Sequence, residues 1–264
     1  MQLSKPKLTV DFIKTFDKKI YNTSIDITDV DLKTFIIEEN REDVKVIYEG
    51  FKDLVSNVKF DIVDGNLHIK VESREKTGIS SATKLYSVFT MENKLSIYLP
   101  THFKSYLVEG NNANVRINNL TIDNLNVEIT HGSVKVKYCD VKENVKINSD
   151  NAFVSLKAIE ANEVTLNTIN GVSRLRNIRT HSNMSLTTDN GIINAKDINS
   201  NNTISAITNA GSVEFDDVYA KAVNIKTDTG IVNYFNGNFN RQFETNIESK
   251  HGVVRTNVNR DEIH

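Results

Sequence analysis

From about Tyr106 onward the chain repeats itself every 19 or 20 residues, a period that restricts the fold to stacked coils of one supersecondary unit. The marker is a column of small residues: Ala113, Gly132, Ala152, Gly171, Gly191, Gly211, Gly230 and Gly252. The steps between them are 19, 20, 19, 20, 20, 19 and 22 residues. From Gly132 on, the preceding residue is His131, Asn151, Asn170, Asn190, Ala210, Thr229 or His251. Asn is favoured there because its amide bonds nearby backbone and it tolerates left-handed dihedrals.

Apolar side chains recur seven and five positions before the small residue, as in Val145 and Ile147, Val164 and Leu166, Met184 and Leu186, and Val223 and Ile225. They recur two and four positions after it, as in Val134 and Val136, Ile193 and Ala195, and Val213 and Phe215. A third set follows seven positions after: Cys139, Ile159, Ile178, Ile198 and Val218. Spacing by two marks strands with one buried face. Each repeat therefore reads as a strand, a tight turn, a second strand and a corner carrying one apolar residue. An Asn-Gly pair ordinarily announces an antiparallel hairpin. Here both flanking strands turn their apolar faces the same way in every repeat, which predicts parallel pairing between successive coils. With strands about 4.8 Å apart, eight coils extend about 40 Å. Three positions before the small residue, Ser149, Thr168, Thr188, Thr208, Thr227 and Ser249 point inward, and stacked hydroxyls can hydrogen-bond along the axis, which makes the polar column tolerable inside.

Residues 1–100 carry strands without this period: 23–27, 34–37, 44–48, 58–62, 67–71, 86–90 and 94–99. Asp64-Gly65-Asn66 supplies a hairpin turn, and 72–83 read as a polar loop. This part is expected to be a β-rich cap (1–100) over one end of a solenoid domain (101–264), since a bare end exposes unpaired strand edges. The longer last interval and Phe235, Phe239 and Phe243 suggest a second cap at the other end. The fold class is all-β: a parallel β-helix or solenoid-like stack of coils of about 20 residues with an N-terminal cap.

The 32 basic and 34 acidic residues leave a net charge of −2, which gives no overall basic footprint for nucleic acid. One cysteine, Cys139, excludes an intramolecular disulfide; on the apolar corner column it reads as a small buried hydrophobe. The N-terminal stretch is broken by Asp11, Lys14, Asp17, Lys18 and Lys19, and no apolar run is long enough to span a membrane. The expectation is a cytoplasmic chain, or one that reaches the envelope attached to a partner.

No constellation of catalytic residues stands out, and no catalytic, metal or cofactor residue is assigned. A polysaccharide-active enzyme would need charged groups converging on one exposed face. The outward position three after the small residue reads Lys135, Ser155, Arg174, Asn194, Glu214, Asn233 and Arg255, with Arg174 and Glu214 two coils apart. His131 and His251 are six coils apart, and His68, His102, His181 and His264 lack a partner at ligand spacing. Asp26, Asp29 and Asp31 lack the glycines of a calcium loop. Lys14, Lys18 and Lys19 form a small basic cluster, read as a solvated face of a short helix.

The lead-in Lys94-Leu95-Ser96-Ile97-Tyr98-Leu99-Pro100, with segments such as Asn167-Thr168-Ile169-Asn170-Gly171-Val172 and Thr187-Thr188-Asp189-Asn190-Gly191-Ile192, resembles the DUF4097 family, toastrack-like “putative adhesin” proteins of bacteria. The resemblance covers roughly residues 30 to 258. It implies an all-β solenoid-like domain, often linked to the cell envelope or its stress responses. The expected function is a non-enzymatic scaffold presenting a rigid surface to a protein or glycan. The alternative is a regulatory or sensor component of an envelope-stress pathway acting through a membrane partner, and a polysaccharide-active enzyme ranks last.

Overall fold

The computed structural model describes residues 9–16, 20, 22–28, 33–50, 58–72, 94–101, 104–237 and 244–257. Among them the regular structure is all strand, in one continuous hydrogen-bonded ladder. One coil shows the rule. In β11 (Met184–Thr188) the side chains of Met184, Leu186 and Thr188 are buried, and Ser185 and Thr187 face outward. The chain turns at 189–191 and continues as β12 (Ile192–Ser200), which buries Ile193 and Ala195. The next coil begins with β13 (Thr203–Thr208). Met184 registers with Val164 of the coil before and Ile204 of the coil after, both in parallel. The Asn-Gly turns thus join successive runs of one coil, each paired in parallel with the coils on either side, instead of closing hairpins. The interior is one column of stacked aliphatic side chains, in which Leu166, Leu186 and Ile225 are each 1 % exposed. β10 (Asn124–Thr180) carries the ladder through nearly three coils unbroken.

Two corners of the coil depend on particular residues. At the small-residue corner only Gly132 and Gly171 have positive φ, at 120° and 149°. What excludes a side chain is the neighbouring coil. A Cβ on Gly211 would stand 2.0 Å from the carbonyl oxygen of Gly191, and one on Gly230 would stand 2.0 Å from that of Gly211. The buried hydroxyl column serves the same corner. The N–H groups of Gly191, Gly211, Gly230 and Gly252 donate to Thr188 Oγ1, Thr208 Oγ1, Thr227 Oγ1 and Ser249 Oγ at 3.0, 2.9, 2.9 and 3.0 Å. Thr188 and Thr208 also donate to carbonyls of the preceding coil, those of Ile169 and Asp189. The hydroxyls of Thr188 and Thr208 therefore hydrogen-bond along the axis, and their partners are backbone groups of the turn.

The left-handed backbone lies at the other corner. Asn119, Tyr138, Ala158, Asn177, Asp197 and Asp217 have φ of 55°, 57°, 53°, 54°, 56° and 54°. From Tyr138 to Asp217, each of these immediately precedes the apolar corner residue and turns the chain from the second run of the coil into a short third run, such as 198–200.

The first hundred residues contribute two kinds of structure. β2 (Asn22–Thr28) and β3 (Lys33–Glu39) both pair in parallel with β8 (Ser105–Asn118) and so form the coil beneath it. β6 (Asn66–Glu72) and β7 (Lys94–Pro100) pair in parallel with β2 and β3 and form the coil beneath that. Chain order and stacking order therefore differ, because the earliest coil sits between a later one and the periodic part. Antiparallel strands follow: β4 (Val44–Gly50) against β7, β1 (Thr9–Phe16) against β4, and β5 (Val58–Val63) against β6. The β5–β6 turn has Asp64 and Gly65 at φ 50° and 76°, the two left-handed positions that a two-residue hairpin requires. The candidate strand at 86–90 and the polar stretch at 73–83 lie outside the described residues, as do Phe239 and Phe243.

At the far end, β17 (Glu244–Ser249) and β18 (Val253–Thr256) continue the parallel pairing as one more coil. There the third run gives way to side chains. Val218 N–H donates to Asn236 Oδ1 at 2.9 Å and Asn236 Nδ2 donates back to Val218 O at 3.2 Å. The Asn236 backbone exchanges the same pair with the Asn257 amide, both at 3.0 Å. These side-chain amides stand where the peptide groups of a further coil would be.

Substituting Gly211 by Ala should cost about 1–3 kcal/mol, because the new methyl group meets backbone that cannot swing away. Gly237→Ala, whose Cβ would meet only the Asp217 carboxylate at 3.2 Å, should stay within about 0.5 kcal/mol of the parent. Urea unfolding followed by circular dichroism measures both.

Candidate binding surfaces

Because the left-handed corner bends each coil between its second and third runs, stacking the bends produces a groove parallel to the axis. Its volume is about 680 Å³ and it extends over five coils, from Tyr138 to Tyr219. Cys139, Ile159, Ile178 and Ile198 contribute to its floor, while Asp140, Glu160, Arg179 and Asn199 stand along its wall. Tyr138 is 56 % exposed at one end. At the other, Tyr219 Oη donates to Asp217 Oδ1 at 3.1 Å, and the same oxygen accepts from Gly237 N–H at 2.7 Å. Glu160 lies 3.0 Å from His181 Nε2. An elongated cleft with an apolar floor, several carboxylates, one arginine and amide groups suits an extended chain that offers both hydroxyl or amide groups and apolar faces.

The turn edge is chemically different. Asn190 donates to Asn170, Asn170 to Asn151, and Asn151 meets His131, at 3.3, 3.1 and 3.4 Å. A second ladder joins Asn167 to Asn148 and Asn148 to Glu128, at 3.0 and 3.3 Å. These amides spend their donors on the next coil, so their role is to tie coils together.

The residues singled out in the sequence are dispersed. Arg174, Asn194 and Glu214 follow one another in register. Asn194 Nδ2 donates to Glu214 at 2.7 Å, while the Arg174 guanidinium lies over the Phe153 ring at 5.4 Å. Arg174 and Glu214 are thus held apart by a coil and committed to separate partners. His251 lies 3.8 Å from Asp228 at one end of the stack and His131 is in the asparagine ladder. His68 is exposed on β6. His102, His264, Asp29, Asp31, Lys18 and Lys19 lie outside the described residues, whereas Asp26 is in β2. Lys14 is in strand β1, which corrects the short helix expected there. Among the described residues no three His, Cys, Asp or Glu side chains converge to hold a metal ion, and no helix is long and apolar enough to cross a membrane.

The sequence reading did not find the groove. Asn or Asp occupies the left-handed column at 119, 177, 197 and 217, but Tyr138 and Ala158 interrupt the signal.

The sequence profile of the family described as Toastrack DUF4097 matches residues 22–214. A crystal structure of a “putative adhesin” from Bacteroides fragilis NCTC 9343 superposes with a TM-score of 0.59 at 16% identity, covering 96% of this chain and 98% of that one. A second, from Parabacteroides distasonis ATCC 8503, gives 0.60 at 14% identity, with 94% and 96% covered. A third, from Parabacteroides merdae ATCC 43184, gives 0.50 at 16% identity, with 95% and 96% covered. At these identities the likeness is one of fold. No curated protein matches the chain.

Cys139 is 3 % exposed and its thiol donates to Lys137 O at 3.3 Å. Burial, the largest influence, pushes the thiol from 9.0 up to about 11. The folded chain keeps this proton after the unfolded chain has lost it. The contribution to stability is therefore complete below about pH 9 and declines as the pH rises toward 11. Urea midpoints measured across that interval should fall more steeply for the parent than for Cys139→Val. The difference should reach about 2–3 kcal/mol, the free energy of a shift of this size.

Proposed function

Since the chain belongs to the Toastrack DUF4097 family, we propose that it is a non-enzymatic, adhesin-like binding scaffold that holds an extended protein or glycan ligand along its axis. The observation that carries this reading is the axial groove over five coils, walled by Glu160 and Arg179, with Tyr138 and Tyr219 at its ends. A parallel ladder in register makes the spacing of these groups fixed before any ligand arrives, so binding costs little ordering of the protein. Ring faces at both ends and a single arginine in the wall are the residue types that anchor ligands at exposed surfaces. The scattering of Arg174, Glu214 and the histidines over separate coils supports a role without chemistry, since acid–base work needs groups within reach of one substrate atom.

A glycan array and a binding assay on whole cells test the proposal. The parent chain is expected to retain a defined ligand, and Tyr138→Ala combined with Arg179→Ala should weaken that binding at least about tenfold. Thr165→Ala, on the outward face of the first run, should leave it unchanged. If the groove variants bind as the parent does, the groove is the wrong seat. If instead the chain co-purifies with a membrane protein and binds no glycan or cell, the regulatory alternative gains.

A further inference from the structure

The outward face of the second run concentrates positive charge in a way that neither the fold nor the groove requires. Two outward columns lie on it, three and five residues after the small residue. In the first, Arg116 registers with Lys135, and Arg174 follows two coils later. In the second, Lys137, Lys157 and Arg176 follow at steps of 20 and 19 residues, matching the coil period, and Arg176 registers with Lys196. Seven cations thus stand on five successive coils, and the first acidic residues in these columns from Arg116 onward are Glu214 and Asp216.

Residues in register on adjacent strands are about 4.8 Å apart, where like charges repel. At other positions of the stack opposite charges meet between coils. Lys142 is 3.0 Å from Asp123, Lys226 is 3.0 Å from Glu248 and Lys250 is 3.4 Å from Asp228, each pair made between neighbouring coils. Of the seven cations only Lys196 has a carboxylate partner among the described residues, Asp216 at 2.6 Å. Like charges also register at Asp26, Glu109 and Glu128, but in one column over three coils, whereas on the second run cations fill two columns over five. A run of like charges this long departs from the local pairing rule, and function is the usual reason for such a departure.

We propose that this face binds a linear acidic polysaccharide whose carboxylates supply the missing counter-charge. The proposal rests on the scaffold reading above but places a ligand of stated chemistry on a different surface from the groove. Side chains two apart on a strand are about 7 Å apart, so the two columns form a stripe roughly one polymer chain wide along the axis. A repeating anionic polymer can meet cations that recur coil after coil. A single-stranded nucleic acid fits less well, because its affinity draws on bases stacked on open rings. Here the ring of Phe153 lies under Lys135 and Arg174, at 5.7 and 5.4 Å, and that of Phe35 under Arg116, at 5.4 Å.

The test uses the full chain and polygalacturonate as probe, with neutral dextran and single-stranded DNA beside it, in titration calorimetry over a range of sodium chloride. Polygalacturonate should bind, dextran should not, and affinity should fall steadily as salt rises. Lys157→Glu should weaken binding at least about tenfold and, without ligand, raise the melting temperature, because it places opposite charges between Lys137 and Arg176. Lys146→Glu, exposed on the first run, should change neither the affinity nor its salt dependence. A binding loss coupled to a stability gain is not what damage to the fold would give. The proposal is overturned if polygalacturonate does not bind, if Lys146→Glu weakens it as much as Lys157→Glu, or if DNA binds more tightly at equal salt. Should polygalacturonate fail while a ligand sensitive to Tyr138 and Arg179 is found, the scaffold reading stands without this one. Loss of that groove ligand with polygalacturonate retained leaves the opposite result.

Discussion

A backbone carbonyl of one coil occupies the place where the next coil's turn residue would carry its Cβ, and the regularity of the stack depends on that contact. At Gly211, Gly230 and Gly252 the separation from the would-be Cβ is 2.0 Å in each case. The close approach lets the ladder run past the corner, so the turn amides need partners of their own. The threonine three residues back supplies one from inside the coil. From Gly191 to Gly252, space and hydrogen bonding thus call for the small residue and the Thr or Ser hydroxyl together: a larger turn residue meets the carbonyl of the coil before, and a chain without the hydroxyl leaves the turn N–H unpaired.

A stack held this way has no natural end, and toward its two ends backbone groups are met by different means. At one, antiparallel strands change the direction of pairing and cover the last parallel coil, blocking addition of another. Toward the other, in the third run, Asn236 and Asn257 imitate peptide groups with their side-chain amides. Tyr234 Oη donates to Val218 O at 2.9 Å and accepts from Asn236 at 3.1 Å, so the imitation is braced from within the core. An amide can take the place of a peptide because it presents the same donor and acceptor side by side.

The parts legible in the sequence are those where one residue type meets one physical demand. The aliphatic columns, the inward Thr and Ser, the Asp64-Gly65 hairpin turn and the burial of Cys139 all follow from alternation and turn chemistry. The parallel pairing followed because strands on both sides of each turn bury the same face. Three things could not be read this way. The coil formed by β2 and β3 lies between β6–β7 and β8, and no period reveals a stacking order that differs from chain order. The left-handed corner accepts Tyr138 and Ala158 as well as Asn and Asp, because the ladder on either side holds the strained backbone in place. The groove follows from that corner and was hidden with it. The hydroxyl column itself was legible and its backbone partners were not, since alternation tells which way a side chain points and nothing of which neighbour it reaches.

The same rigidity sets what the surface can do. In a flexible protein, clustered cations relieve their repulsion by moving apart. Here Lys137, Lys157 and Arg176 sit on strands whose spacing is fixed by the carbonyl contact and the buried columns beneath them, so only their flexible side chains can move. The cost is borne continuously by the folded chain and is recovered when an ordered counter-charge is placed beside it. The groove works on the opposite principle. Its charges are already paired or mixed in sign, as with Glu160 beside His181 and Asp217 beside Tyr219, and it gains by shape and by contact with its apolar floor. One periodic scaffold can therefore carry a face selective for charge and a cleft selective for shape, because outward positions can vary without disturbing the columns inside.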